Sequence, residues 1–114
     1  MSNYMESFKQ TGKEYRNLIK ESGDTMRSFG KLHTDAIKDG ALTKKEKELM
    51  SVAIAVSIRC EGCIHSHVAS AIQAGATMEE LAETVNVCIL MSGGPGTVYG
   101  GKALAFAQEY MENQ

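Results

Sequence analysis

The chain has 114 residues, 43% hydrophobic and 23% charged, with a formal net charge of −2. That length holds one domain around one core, and such a composition excludes a disordered chain. The basic residues are scattered among acidic ones, so no surface for nucleic acid or anionic lipid is expected, and no apolar run reaches the ~18 residues that span a bilayer.

The opening, Met1 to Glu6, has no basic stretch followed by an apolar one, so no secretion signal is expected and a cytoplasmic location is. Phe8, Tyr15, Leu18 and Ile19 fall near helical spacing and predict a first helix ending at Ser22-Gly23. Asp24 can cap a second, with Met26, Phe29, Leu32, Ala36 and Ile37 on one side and Asp39-Gly40 as its stop. Thr43-Lys44-Lys45-Glu46 reads as a capping box and opens a third helix running to about Arg59. Leu49, Met50, Val52, Ile54, Val56 and Ile58 leave that helix almost no polar face, so it is either central or covered by a neighbouring subunit. Cys60 to Cys63 makes the next break, and a fourth helix runs to Ala74 with Gly75 as its stop. Thr77-Met78-Glu79-Glu80 is a second capping box, opening a fifth helix with Leu81, Val85, Cys88 and Ile89 inward. Ser92-Gly93-Gly94-Pro95-Gly96 is the strongest loop signal. A last helix is expected from about Thr97 to Met111, carrying Val98, Ala103, Leu104, Ala107 and Tyr110. No alternating strand is present, so the expected fold is all-α: one six-helix domain over residues 1–114.

The chemistry concentrates in Cys60-Glu61-Gly62-Cys63-Ile64-His65-Ser66-His67. Two cysteines three apart at a helix start can form and break a disulfide with little backbone movement, and the helix dipole there favours the nucleophilic thiolate. In a reducing compartment such a pair is more often catalytic or metal-binding than a structural staple. His67 lies one turn after Cys63 on the same face, where an imidazole can take the thiol proton. Glu48 sits on the preceding helix. If the two helices form an antiparallel hairpin, it comes within a water's reach of His67. Zinc is the rival use of the cysteines, with His65 or His67 and Glu48 or Cys88 completing the set, but the second paired ligand set usual for structural zinc is missing. Covalent haem is excluded because Ile64 follows the second cysteine. Cys88 reads as a small core residue, His33 as a surface or hydrogen-bonded histidine, and His65 as a surface or interface one. The glycines at 93, 94 and 96 lack the Lys-Ser/Thr of a phosphate loop.

Glu48, Cys60, Cys63 and His67 at this spacing, followed by Gly75-Ala76-Thr77-Met78-Glu79-Glu80 and Gly93-Gly94-Pro95, resemble the alkylhydroperoxidase AhpD-like family of the carboxymuconolactone decarboxylase superfamily, over about residues 43–107. The resemblance implies a homo-oligomer, trimeric or hexameric, that reduces peroxides or disulfides through a CxxC pair without a cofactor or metal. It makes Cys60 and Cys63 the redox pair, Glu48 and His67 the proton relay, and a lipoyl or thioredoxin-like dithiol the electron donor. One departure concerns Gly62, where peroxidase members carry a histidine. Two other readings stand beside this one: a lactone decarboxylase on the same scaffold, whose known members lack the cysteine pair, and a zinc-stabilised structural oligomer.

Overall fold

The structure, a computed structural model, describes residues 3–114, so Met1 and Ser2 of the opening lie outside it. Six helices follow in order: α1 Asn3–Ser22, α2 Asp24–Ile37, α3 Lys44–Ser57, α4 Glu61–Gln73, α5 Met78–Ser92 and α6 Gly94–Glu112. The all-α expectation holds.

Both capping boxes form. Thr43 Oγ1 accepts from the Glu46 N–H at 3.1 Å while Glu46 Oε1 accepts from the Thr43 N–H at 2.8 Å. Thr77 and Glu80 repeat the exchange at 3.1 and 2.9 Å. Each box satisfies donors that a helix start otherwise leaves open. Lys45 Nζ donates to Glu80 Oε2 at 2.9 Å, so the two boxed helix starts are also tied to one another.

The exits of α3 and α4 share one geometry. At each, the second residue past the cap donates to the carbonyl five back, Cys60 to Ala55 at 3.1 Å and Ala76 to Ala71 at 2.9 Å. The residue between adopts positive φ, Arg59 at 59° and Gly75 at 100°. This is the Schellman exit, and it normally takes glycine. Arg59 occupies the strained position immediately before the first cysteine.

Helices α3 to α6 pack as a four-helix bundle in which the consecutive pairs α3/α4 and α5/α6 are the principal hairpins, and α1 lies across α4 and α6. Val52, Val56, Ile64, Val68, Leu81 and Phe106 are the fully buried centre. The first turns of α1 join that core through Tyr4, Met5 and Phe8, with the Phe8 ring 5.3 Å from that of Phe106.

Three expectations are corrected. The glycine-rich stretch is not a loop: α6 begins at Gly94, with Pro95 in its first turn, and only Gly93, at φ 64°, breaks the chain. Proline is preset for a first helical turn, and the glycines serve close packing instead. A Cβ on Gly96 would stand 2.7 Å from the Cys88 carbonyl oxygen, and one on Gly100 would collide with Val85 Cγ1. Ile89, expected inward, is exposed, because α5 and α6 meet along Val85, Cys88, Gly96 and Gly100 and turn it away, as they do Val98. Helix α2 buries no residue at all; it packs mainly against α1 and α3, which leaves Phe29 and Leu32 in the open. Among the described residues no helix is long and apolar enough to cross a membrane.

Candidate functional site

The α3/α4 hairpin brings the candidate residues together. Cys60 is the N-cap of α4, and its sulfur accepts from the Cys63 N–H at 3.3 Å. The two cysteines are paired as a disulfide with Cα atoms 5.2 Å apart. At the amino end of a helix, oriented N–H groups favour a negatively charged sulfur. Helix α1 backs this turn: the Thr11 methyl stands 3.6 Å from where a Cβ on Gly62 would lie, which is ordinary contact.

Glu48 reaches His67 directly, without the intervening water the sequence allowed: Oε1 lies 2.8 Å from His67 Nδ1. A carboxylate oxygen accepts, so Nδ1 carries the hydrogen and Nε2 keeps its lone pair, free to take a proton. Glu48 is only 1% exposed, and its Oε2 has no hydrogen-bond partner within the protein. A charge-capable side chain placed in a core is costly unless it is paired. Here one oxygen is paired and the other left over, the usual mark of a group kept for chemistry and not for stability. Its burial also excludes a merely solvated surface charge.

Cys63 and His67 open onto one groove of about 210 Å³, whose other walls are Ser51, Ile54 and Ala55 of α3 and its capping residue Ile58. The groove is apolar apart from Ser51 and the two reactive side chains. Cys60 is not part of its lining.

The other candidates fall elsewhere. Cys88 is buried and its thiol donates to the Ala53 carbonyl at 3.5 Å. Burial pushes that thiol above its ordinary range, which keeps its proton on and holds it out of exchange. His65 is buried at 3% exposure and not on the surface, because the α4 face two residues from Cys63 is the one that α1 and α6 cover. Its ring stacks on Phe106 at 4.5 Å and meets the edge of Tyr4 at 5.9 Å, and its Nδ1 has no partner. Burial holds His65 below the ordinary histidine value, while Glu61 and Glu109 pull weakly the other way. His33 is exposed, as expected of a surface histidine, and its ring lies 6.2 Å from that of His67. Nothing in the sequence around His33 signals this, since no local motif links α2 to α4. Among the described residues, no group of three or more His, Cys, Asp or Glu is disposed to hold a metal ion.

Comparison with known proteins gives a consistent picture. The sequence model of the carboxymuconolactone decarboxylase family matches residues 23–109. An uncharacterized protein of Cupriavidus necator is 42% identical over 81 residues, covering 71% of this chain and 72% of the relative. A protein of the cox locus of Paracoccus denitrificans is 41% identical over 62% of this chain and 64% of its own length. Among solved structures, a carboxymuconolactone decarboxylase family protein of Legionella pneumophila superposes with a TM-score of 0.92 at 36% identity, covering 96% of this chain and 98% of the other. A Thermotoga maritima member, for which a part in the antioxidative response has been suggested, superposes with a TM-score of 0.81 at 25% identity, covering 93% and 91%.

Proposed function

The chain belongs to the carboxymuconolactone decarboxylase family, and on that footing we propose that it is an AhpD-like thiol–disulfide oxidoreductase that reduces peroxides or disulfides. The observation that carries this reading is one groove onto which two groups open: Cys63, paired with Cys60, and a His67 imidazole oriented by a buried Glu48. The role suggested for the Thermotoga relative agrees with it.

In the proposed cycle His67 Nε2 takes the Cys63 thiol proton. The Cys63 thiolate then attacks one oxygen of a hydroperoxide: the S–O bond forms, the O–O bond breaks, and the departing alkoxide takes the proton back to leave as an alcohol. The Cys60 thiol next attacks the Cys63 sulfenic acid, closing the disulfide and releasing water. A dithiol of the lipoyl or thioredoxin kind restores both thiols by exchange and is itself oxidised. Cys63 is assigned to peroxide because it lines the groove with His67. Cys60, outside that lining, is assigned to resolution and exchange. We further propose that the working unit is a homo-oligomer, trimeric or hexameric, located in the cytoplasm.

The test starts from fully reduced protein. A slight excess of peroxide should leave a 60–63 cross-linked peptide in the mass spectrum, and C63S should abolish peroxide consumption. His67→Ala should lower turnover by a factor of ~10² to 10⁴, the usual worth of a positioned proton-transfer group, and Glu48→Gln by less. Intact thiols after oxidation, or a bridge to Cys88, would sink the reading.

A further inference from the structure

We propose that His33 is a substrate-holding residue, which with His67 grips the leaving oxygen of a hydroperoxide beside Cys63. The inference rests on the peroxide arm of the function proposed above. The His33 and His67 ring centres stand 6.2 Å apart with 34° between their planes. That is too far for a direct hydrogen bond and too tilted for stacking. It leaves room for one atom held between the two rings by a hydrogen bond to each.

The nitrogens needed are free. His67 spends Nδ1 on Glu48, so Nε2 is the one left for substrate. On α2 the neighbouring charges are occupied with each other, Lys31 donating to Asp35 at 2.9 Å. One helical turn to either side of His33 lie Phe29 and Ile37, which offer it nothing polar. An imidazole with free edges, standing across from the proton carrier of the site, is placed to donate a hydrogen bond to whatever oxygen that carrier serves.

The chemistry gives such a donor a purpose. When the Cys63 thiolate attacks, sulfur is oxidised to the sulfenic state and the O–O electron pair leaves on the alkoxide. The proton that His67 removed from the thiol passes to that alkoxide, and the His33 N–H stabilises the charge while it does so. A donor aimed at charge that develops only in the transition state acts on rate more than on binding. It also supplies a polar contact to the peroxide from α2, beside the groove and away from the CxxC turn, where this chain has Gly62.

Reduction of the Cys60–Cys63 disulfide by a dithiol involves no departing oxygen, which separates this role from a structural one. Two reactions are to be measured on wild type, H33L and H33Q: steady-state turnover of cumene hydroperoxide with excess dithiothreitol, and the single-turnover rate at which dithiothreitol reduces the oxidised protein. For H33L, kcat/KM for the hydroperoxide should fall ~10- to 100-fold, mostly in kcat. H33Q, whose amide still donates, should recover part of the loss, and disulfide reduction should be unchanged within about twofold in both variants. Unchanged peroxide turnover in H33L overturns the inference and leaves the proposed function standing. Parallel losses in both reactions, or H33Q no better than H33L, overturn it by making His33 a prop for α2. A wild-type protein that exchanges disulfides but consumes no hydroperoxide overturns it together with the peroxide reading.

Discussion

An imidazole stacked on one aromatic ring and edged by another, with little access to water, is disfavoured as a cation, and that gives His65 a measurable signature. Its folded-state value is depressed, mainly by burial, with Lys102 adding to the effect and Glu61 and Glu109 opposing it. The unfolded chain therefore binds a proton at this position that the folded chain refuses. Above the ordinary histidine value of about 6.5 both states are neutral and His65 contributes no pH dependence. As pH falls below that value, stability should decline, with a slope from this one residue of at most ~1.4 kcal/mol per pH unit. Urea unfolding from pH 7.5 to 5 should show the decline in wild type and a flatter limb in His65→Leu; identical limbs would remove His65 as the cause. At this same scale the sequence was legible where spacing along one helix settles the geometry. Cys60, Cys63 and His67 needed only the helical turn, and Glu48 needed one hairpin in addition. His65 and His33 were not legible, because burial under α1 and the approach of α2 to α4 are tertiary facts with no local pattern.

Capping chemistry wrote the element boundaries into the chain wherever side chains close the ends. Thr43 with Glu46 and Thr77 with Glu80 mark helix starts that the structure keeps. The glycines after Ser92 misled because glycine means two things: freedom of backbone or absence of a side chain. Only Gly93 is there for its φ; Gly96 and Gly100 are there so that α6 can approach α5. The distinction predicts opposite outcomes for substitutions one residue apart. Gly100→Ala drives a methyl into Val85 and should cost ~1 to 3 kcal/mol, the range for overpacking a tight contact. Gly101→Ala meets nothing within 4 Å and should stabilise by ~0.5 to 1 kcal/mol, the helix preference of alanine over glycine. Denaturant midpoints of the two variants check both signs, and a destabilised Gly101→Ala would mean that another surface lies against that position.

Taken whole, the chain leaves more apolar surface uncovered than a self-sufficient domain of its size has reason to. Its radius of gyration is 14.2 Å, against about 13.3 Å for a compact chain of this length, and the excess fits an α1/α2 arm that the bundle does not enclose. Phe29 and Leu32 on that arm are exposed. Met50 and Ile54 on α3 and Ile58 at its cap recur every fourth residue and form one outward stripe. On α5, Leu90 is 80% and Met91 77% exposed, and Val98 on α6 adds to the open apolar surface. The sequence had already left α3 without a polar face, and the bundle answers only half of that: it buries Val52, Ala55 and Val56 and turns the stripe outward. Open apolar surface of this extent marks an interface, and a second copy of the chain is its expected occupant, since small domains commonly gain stability by association. Ile54 and Ile58 also wall the groove at Cys63 and His67, so association would cover the edge of the site and narrow the access of bulky substrates. Light scattering at micromolar concentration should give a mass of at least three subunits. Ile54→Glu, a charge set in the middle of the stripe, should lower that mass while the circular dichroism stays helical. Single-subunit mass in the unaltered protein would overturn the assignment of this surface to self-association.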